Sequence, residues 1–334
     1  MTNRLTRRRF LTICASTVAA SLIPGRSQAR SSMVRWQGVA LGAEAELILN
    51  HPDPKKAKAV LNLVQAEIRR LEKVFSLYDK SSAIFKLNKF GALDTPPLDL
   101  IRCLDDAANI SKITDGAFDI TVQPLWNLYA RHFAEESASS NGPGEEAVKT
   151  VSSLIDYQAV HFTSQKISFT KPGMAITLNG IAQGFITDRV TELLRKQGFK
   201  NVLVNLGEVR GSGHREDGSI WQVGIQSPDG SRTINQKIPL YNKAIATSGA
   251  YGTRFGETGK HHHLFDPKTG QSGNVWDSVS VIADDATRAD ALSTAFYNLP
   301  ETQIHDIAEN LKLSVIASNK TRIVRANVTD HRNL

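Results

Sequence analysis

The order of the helical and strand-like patterns is the feature that most limits what this chain can fold into. Helical patterns dominate before residue 154, and strand-like runs separated by turn residues dominate after it. A helical pattern at residues 182–197 interrupts the strands, and another follows at residues 286–299. Because this order lacks the regular strand–helix alternation of a doubly wound sheet, it favours an α+β fold. We predict a single domain in which helices pack against mixed or antiparallel sheets.

Spacing and turn residues predict the individual elements. Apolar residues such as Val60, Val64, Ile68 and Leu71 recur at helical spacing and predict a helix over residues 54–78. The other predicted helices cover residues 98–111, 182–197 and 286–299, the last two being ended by Gly198 and Pro300. Strand-like segments are predicted at residues 33–50, 159–163, 166–170, 175–178, 201–206, 221–227 and 244–247, and a surface loop at 135–146.

The first 29 residues are typical of a targeting signal. An arginine cluster precedes Phe10 and Leu11, an apolar run covers residues 11–23, and residues 27–29 form a small-x-small cleavage site. The paired arginines predict the twin-arginine export machinery as a partner and a periplasmic location. A membrane anchor is the alternative, but the run is short for a span. Lipidation at Cys14 is another alternative, although the better cleavage site follows well after it. We therefore expect a mature domain over residues 30–334.

Charge and cysteine content narrow the classes of function. Residues 1–29 hold five arginines and no acid, so their removal lowers the formal net charge from +7 to +2. No concentrated basic face with groove-reading elements remains, and we expect no nucleic-acid partner. Cys103 is the only cysteine after residue 29. One thiol cannot form an internal disulfide, so the fold must depend on its core, for which about 300 residues suffice.

Asp290 and Thr294 form the pair that points most directly to chemistry. They lie four residues apart in a predicted helix, so both side-chain oxygens face the same side. A carboxylate and a hydroxyl so placed can hold Mg²⁺, which prefers oxygen ligands and often shares them with substrate phosphates. Taken alone, the pair is better explained by a solvated helix face or a cap, because Asp-x-x-x-Thr occurs by chance in many helices.

Two glycine-containing segments could approach a ligand. In the stretch around Ala117, Phe118 and Asp119, the carboxylate could accept a hydrogen bond from a ring N–H or a sugar hydroxyl. The alternative is that Asp119 caps a helix and Phe118 is buried. The junction at residues 178–188 could present backbone N–H groups to an anion, or it could only allow close strand–helix packing.

Three adjacent histidines, at residues 261–263, are candidate zinc ligands. Neighbours in a strand point to opposite faces, however, and zinc ligands normally need wider spacing. We expect instead that one histidine faces a pocket, braced by the Asp266-Pro267 turn, where it could bind phosphate or act as an acid or base. The glycine-rich run at residues 205–213 lacks both a P-loop and a dinucleotide fingerprint, and a hairpin turn explains it.

Taken in order, these clusters resemble the ApbE family of FAD:protein FMN transferases over residues 38–299. The matching segments are Ser76-Leu77-Tyr78 with Leu87-Asn88, residues 116–119 with Pro124, and residues 184–188, 204–207, 247–249, 263–270 and 289–294. The resemblance implies a T-fold-related α+β domain. It also implies an exported, Mg²⁺-dependent enzyme in which a Thr or Ser hydroxyl of a partner protein attacks the FMN phosphorus of FAD and AMP leaves.

The resemblance also assigns residues to the site. Those expected to contact FAD are Leu41, Tyr78, Asn88, Ala117, Phe118, Asp119, Thr177, Gln183, Thr247, Ser248, Gly249 and His263. The Mg²⁺ ligands would be the side chains of Asp290 and Thr294 and the carbonyls of Gly180 and Ser293. His263 and Asp290 are the candidates for deprotonating the attacking hydroxyl.

The chain departs from the family pattern inside this site. Thr177 stands where the family usually has Asp, Gln183 replaces a usual Lys or Glu, and Leu41 stands where Met is frequent. Loss of a buried carboxylate removes hydrogen bonding worth about 1.5–3 kcal/mol. Alternatives to transfer are therefore an FAD carrier without transferase activity and an FAD pyrophosphatase that gives FMN and AMP.

The acceptor implied by the resemblance is a periplasmic or membrane-anchored redox protein. Exported members without a lipid anchor include the NosX type, for which the acceptor would be a NosR-like flavoprotein with an FMN-binding domain.

A first testable prediction concerns Cys103. The proposed chemistry needs no thiolate, so a Cys103→Ser variant should retain FMN transfer to an acceptor, measured by mass spectrometry. A variant that folds normally but transfers no FMN would contradict this expectation.

Overall fold

The computed structural model describes residues 33–51, 53–226 and 234–328. The predicted targeting signal and Cys14 lie outside these residues. The helices are α1 (Pro54–Phe75), α2 (Ala83–Phe90), α3 (Leu98–Ile113), α4 (Gln123–His132), α5 (Glu145–Ser152), α6 (Ala182–Lys196), α7 (Ala286–Phe296) and α8 (Glu301–Leu311). Short 3₁₀ turns occur at Ile120–Val122 and Tyr157–Ala159. None of the helices in these ranges combines the length and apolarity needed to cross a bilayer.

The strands form one large sheet and three small ones. They are β1 (Met33–Ala40), β2 (Ala43–Asn50), β3 (Ala92–Asp94), β4 (Val160–Phe162), β5 (Lys166–Phe169), β6 (Val202–Asn205), β7 (Val209–Ser212), β8 (Trp221–Gln226), β9 (Ile234–Leu240), β10 (Lys243–Gly249), β11 (Arg254–Phe255), β12 (His261–His262), β13 (Ser278–Ala283), β14 (Ser314–Ser318) and β15 (Ile323–Ala326). The large sheet has the order β1-β2-β6-β7-β10-β13-β14-β15, and its neighbouring strands are antiparallel. The small sheets are β3-β5-β4, β8-β9 and β11-β12. The α+β prediction is confirmed.

The large sheet is covered on both faces over its central strands. On β2, Leu47 and Leu49 join the main core with helices α1, α3, α6 and α7, whereas Ile48 joins a second cluster with Trp221 and Leu240 of the β8–β9 hairpin. Successive side chains of a strand point to opposite faces, so both faces need apolar residues. This explains why the central strands read as nearly continuous apolar runs.

Several sequence predictions hold with small changes at their ends. The helix predicted over residues 54–78 ends at Phe75, and those predicted from residues 98 and 182 end at Ile113 and Lys196. Gly198 has a left-handed φ of 89° just beyond α6, as its role in ending that helix requires. The last predicted helix ends earlier, at Phe296, and Pro300 stands at the N-cap of α8 instead of ending α7.

The strand predicted at residues 175–178 is wrong. The segment is extended, but the backbone of Ile176 is hydrogen-bonded to the side chain of Asn88. The Asn88 amide accepts from the Ile176 N–H at 2.8 Å and donates to its C=O at 2.8 Å. A side-chain amide thus replaces a neighbouring strand. The predicted loop at residues 135–146 is also too long, because α5 begins at Glu145.

Helices α6 and α7 cross closely, and this crossing positions the site described below. A Cβ on Gly184 would overlap the carbonyl oxygen of Ala286, so only glycine permits this approach. Four residues later, Asp188 accepts hydrogen bonds from the N–H groups of Ala286 and Thr287, each at 2.9 Å. Arg210 donates to the same carboxylate at 2.5 Å. The start of α7 is therefore fixed relative to α6.

This crossing generates a stability prediction. Gly184→Ala would push α7 away from α6 and should lower the free energy of unfolding by about 1–3 kcal/mol, the usual range for an overpacked core. Gly144→Ala is the matched control, since a Cβ there would meet no atom within 4 Å. Urea denaturation measures both variants. Equal midpoints for Gly184→Ala and the wild type would contradict the role given to this glycine.

Candidate active site

One cavity brings together most of the predicted site residues. It lies where the start of α6, the middle of α7 and the end of β10 meet the loops around residues 117–122 and 263–267. The predicted residues that line it are Tyr78, Ala117, Phe118, Asp119, Thr177, Gly180, Gln183, Thr247, Ser248, His263, Asp290 and Thr294. Residues as far apart in sequence as Tyr78 and Thr294, which are separated by 216 positions, thus converge on a single space.

Four predicted residues lie beside this cavity. Leu41 lines an adjoining recess, and Asn88 lines an adjoining groove. Ser293 on α7 directly precedes the cavity-lining Thr294, and Gly249 on β10 directly follows the cavity-lining Ser248. Their assigned contacts with FAD or metal stay predictions.

A cluster of oxygen atoms occupies the α7 side of the cavity. The Asp290 side chain is buried, and one of its oxygens accepts from the N–H of Gly184 at 3.0 Å. The Ser248 hydroxyl lies 2.8 Å from that of Ser293 and 3.3 Å from that of Thr294. A Cβ on Gly180 would lie 2.9 Å from the Thr294 hydroxyl, so this glycine lets the α6 junction approach α7. The prediction that α7 presents Asp290 and Thr294 on one side is confirmed.

This donor set fits a hard divalent cation. It consists of oxygens with a single carboxylate, which suits Mg²⁺ rather than a softer metal. Within the described ranges, no group of three or more His, Cys, Asp or Glu side chains is positioned to hold a metal. The side chains of Asp290 and Thr294 could hold Mg²⁺ at this place, and the carbonyl oxygens of Gly180 and Ser293 stay predicted ligands.

Burial dominates the electrostatics of Asp290. It raises the pKa of this carboxyl to about 7, the Gly184 N–H opposes the rise, and the negative charge of Asp188 adds to it. The ionised form is thus disfavoured without a positive partner. A cation at this place would restore the ionised carboxylate, which links metal binding to proton release.

The three histidines have separate environments. His263 alone lines the cavity, together with Pro267 of the predicted bracing turn. His262 is buried, with Nε2 2.9 Å from the carbonyl of Gly273, and His261 packs among aromatic rings including Tyr129. The expectation that only one histidine faces the pocket is confirmed.

His263 is held as a neutral imidazole. Its Nδ1 lies 3.0 Å from the carbonyl oxygen of Thr253 and 3.3 Å from the N–H of the same residue. The shorter contact favours a protonated Nδ1 that donates to the carbonyl, which leaves Nε2 without a proton. Burial lowers the pKa of His263 to about 4, and the Thr253 contact opposes this. The imidazole is therefore neutral at pH 7.

Asp119 caps a 3₁₀ turn and also lines the cavity. Its carboxylate accepts from the N–H and hydroxyl of Thr121, at 2.8 and 2.6 Å, and from the N–H of Tyr157 at 3.0 Å. These bonds make it the cap of the 3₁₀ turn at Ile120–Val122. Burial nevertheless raises its pKa, against the effect of these hydrogen bonds. Asp119 also lines the cavity, so contact with a ligand stays a prediction.

Comparison with known proteins identifies the family of this chain. A model of the ApbE family matches residues 41–317. The chain belongs to the ApbE family. The FAD:protein FMN transferase of Haemophilus influenzae is 31% identical over 264 residues, covering 75% of this chain and 76% of the relative. That of Vibrio cholerae is 26% identical over 314 residues, covering 91% and 92% of the two chains.

Solved structures of ApbE proteins share the fold. The flavin transferase ApbE from Vibrio cholerae superposes with a TM-score of 0.77 at 25% identity, covering 89% of this chain and 97% of its own. The ApbE protein from Thermotoga maritima gives a TM-score of 0.77 at 26% identity, covering 88% and 97%. The predicted family and fold class are confirmed.

Two of the three departures from the expected family pattern, Thr177 and Gln183, lie in the cavity wall. Thr177 accepts from the N–H of Asn179 at 3.2 Å and donates its own N–H to Ile120 at 2.8 Å. Gln183 lies at the start of α6 and is 3% exposed, and its buried Nε2 has no hydrogen-bond partner within the described residues. A buried donor without a partner costs about 1–3 kcal/mol, which a ligand oxygen would offset. Gln183 is therefore a donor available to an anion at a helix N-terminus.

Sequence reasoning missed some residues of the cavity, among them Trp126, Asn179 and Glu208. Asn179 and Glu208 lie within recognised motifs, next to Gly180 and Gly207. Their positions beside turn glycines were a usable signal. Trp126 lies on α4, a helix that was not predicted, so nothing indicated its approach.

The electrostatics of Asp290 generate a pH prediction. Because its folded-state pKa exceeds the unfolded value near 4, the stability it contributes is present below pH 4 and is lost as pH rises through about 7. Asp290→Asn removes this loss, so without metal the variant should be more stable than the wild type at pH 8 by about 1–3 kcal/mol. The difference should shrink towards pH 4.

Thermal and urea denaturation with and without Mg²⁺ measure this effect. Mg²⁺ should stabilise the wild type at pH 8 and leave Asp290→Asn unchanged. Asp306→Asn, an exposed carboxylate on α8, is the control and should respond to Mg²⁺ like the wild type. A variant less stable than the wild type at pH 8 in chelator would contradict the account of Asp290.

Proposed function

We propose that this chain is an exported, Mg²⁺-dependent FAD:protein FMN transferase that moves FMN from FAD to a Thr or Ser hydroxyl of a partner protein and releases AMP. The observation that carries the proposal is the convergence of a buried oxygen set, a neutral imidazole and an unpartnered amide donor in one cavity. Membership of the ApbE family supports it, as do relatives named FAD:protein FMN transferase.

Different residues of the cavity would bind the pyrophosphate, the metal ion and the aromatic parts of FAD. Gln183 would donate its free Nε2–H to a pyrophosphate oxygen at the start of α6. Asp290 and Thr294, with the carbonyls of Gly180 and Ser293, would hold Mg²⁺, which supplies neutralisation of the charge on the phosphates and on the leaving group. Phe118 and Tyr78 offer ring surfaces for the aromatic parts of FAD.

Transfer exchanges the phosphoanhydride bond of the FAD pyrophosphate for a phosphate ester bond to the acceptor. The acceptor hydroxyl oxygen forms a bond to the FMN phosphorus, the bond from that phosphorus to the oxygen of the AMP phosphate breaks, and AMP leaves. His263 is the better placed of the two candidates for taking the hydroxyl proton, because its Nε2 is unprotonated at neutral pH. Asp290 already accepts from Gly184 and is the single carboxylate of the metal set.

Export and acceptor identity rest on the sequence. The twin-arginine pattern of residues 1–29 supports a periplasmic mature domain over residues 30–334. A periplasmic or membrane-anchored flavoprotein would then be the acceptor, and a NosR-like FMN-binding domain is our choice of partner.

Mass spectrometry of that domain, incubated with residues 30–334, FAD and Mg²⁺, tests the proposal. The domain should gain the mass of one FMN while AMP appears in equal amount, and chelation should stop both. His263→Ala should lower kcat by about 10²–10⁴-fold. His305→Ala, an exposed histidine on α8, is the control and should leave the rate unchanged.

Two other outcomes would favour a function other than FMN transfer. Bound FAD with neither AMP nor adduct would favour an FAD carrier, a function that the uncharged Thr177 and Gln183 make reasonable. AMP without an adduct would favour FAD hydrolysis to FMN and AMP, with water in place of the hydroxyl.

A further inference from the structure

A groove beside the cavity shares Tyr78 and Asn88 with the predicted FAD contacts, but no role has been assigned above to Phe85, Lys89, Asn127 and Ala175, which also line it. Helix α2 forms one wall through Phe85 and Lys89, helix α4 forms the other through Asn127, and Ala175 of the extended segment lies at its floor. The groove has a volume of about 310 Å³, which suits a short extended chain rather than a folded domain. Asn88 and Gln123 complete its polar lining.

The groove, the cavity and an adjoining recess share lining residues at one junction. Tyr78 and Asn179 line the groove, the cavity and the adjoining recess near Leu41. The recess also shares Gln183 with the cavity, whereas the groove does not. A dinucleotide whose pyrophosphate lies at Gln183 would therefore extend from the cavity into the recess, and the groove would stay open.

The proposed reaction requires a third access path. FAD brings two halves joined at the pyrophosphate, and the attacking hydroxyl must reach the phosphorus roughly in line with the leaving AMP. In this arrangement the cavity and the recess would take the two halves. The groove is a further space at the same junction.

The floor of the groove offers backbone groups for an extended chain. Residues 174–178 alternate, with Met174, Ile176 and Leu178 buried and Ala175 and Thr177 partly exposed. Ile176 is bound by Asn88, and Thr177 donates to Ile120, but Ala175 makes no hydrogen bond within the described residues. An extended backbone with free N–H and C=O groups can pair with a peptide strand.

The walls suit a polar segment of low or negative charge. Lys89 and Asn127 are exposed at the rim, and Trp126 is partly exposed where the groove meets the cavity. Amide side chains can bond peptide groups, and the lysine favours an acidic residue. Tyr78, which is 45% exposed, stands at the inner end.

We propose that this groove binds an extended segment of the acceptor protein and leads its Thr or Ser hydroxyl past Tyr78 and Asn179 to the cavity. The inference rests on the proposed function. It assigns Lys89, Asn127 and Ala175 to recognition of the acceptor and not of FAD.

Steady-state kinetics with the NosR-like FMN-binding domain test the groove. Lys89→Glu reverses the rim charge, and Ala175→Trp fills the floor. Each should raise the KM for the acceptor by about tenfold or more, while kcat at saturation and the Kd for FAD stay within about twofold. Lys112→Glu, an exposed lysine on α3 outside the groove, is the charge-matched control and should change none of these constants.

The possible results separate the two claims. If the wild type transfers no FMN, the proposed function fails and the groove assignment fails with it. If the wild type transfers FMN and Lys89→Glu leaves the acceptor KM unchanged, the groove assignment alone is overturned, whether or not Ala175→Trp folds. A weaker Kd for FAD with an unchanged acceptor KM would assign the groove to the dinucleotide and also overturn it.

Discussion

The close crossing of helices α6 and α7 is the constraint on which the site depends. The missing side chain at Gly184 lets the helices touch, and Asp188 fixes the first residues of α7 against α6 through two backbone N–H groups. This geometry brings Asp290 to the Gly184 N–H and brings Thr294 to Gly180. The oxygen set is thus assembled by backbone contacts between elements that are about a hundred residues apart in sequence, and its precision comes from rigid helices rather than from loops.

The same crossing buries two polar groups of the site, Asp290 and Gln183, at a cost in stability. It buries Asp290 beside Asp188, so the carboxyl resists ionisation, and it leaves Gln183 with an unpartnered donor at a helix N-terminus. Both features destabilise the protein without ligand and both are relieved by what the site would bind, a cation and a phosphate oxygen. Such local costs are expected where binding groups are held ready before the ligand arrives.

Sequence reasoning located the chemistry better than it located the elements around it. Helical spacing alone placed Asp290 and Thr294 on one side of α7, since that relation is local. The 175–178 strand was wrong because Asn88, 88 residues away in sequence from Ile176, supplies the hydrogen bonds that a strand would have made. Trp126 and the junction at Tyr78 and Asn179 depend on how separate elements pack, and no spacing pattern encodes that. Motif order supplied the residues of the cavity, whereas only the fold revealed the groove.

A crystal structure of the protein with FAD and Mn²⁺ in place of Mg²⁺ would test the central claim most directly, because anomalous scattering locates the ion. We expect the ion beside the Asp290 carboxylate and the Thr294 hydroxyl, with the pyrophosphate at the start of α6 within hydrogen-bond distance of Gln183 Nε2. An ion bound elsewhere, or FAD with its pyrophosphate away from the α6–α7 crossing, would contradict the account.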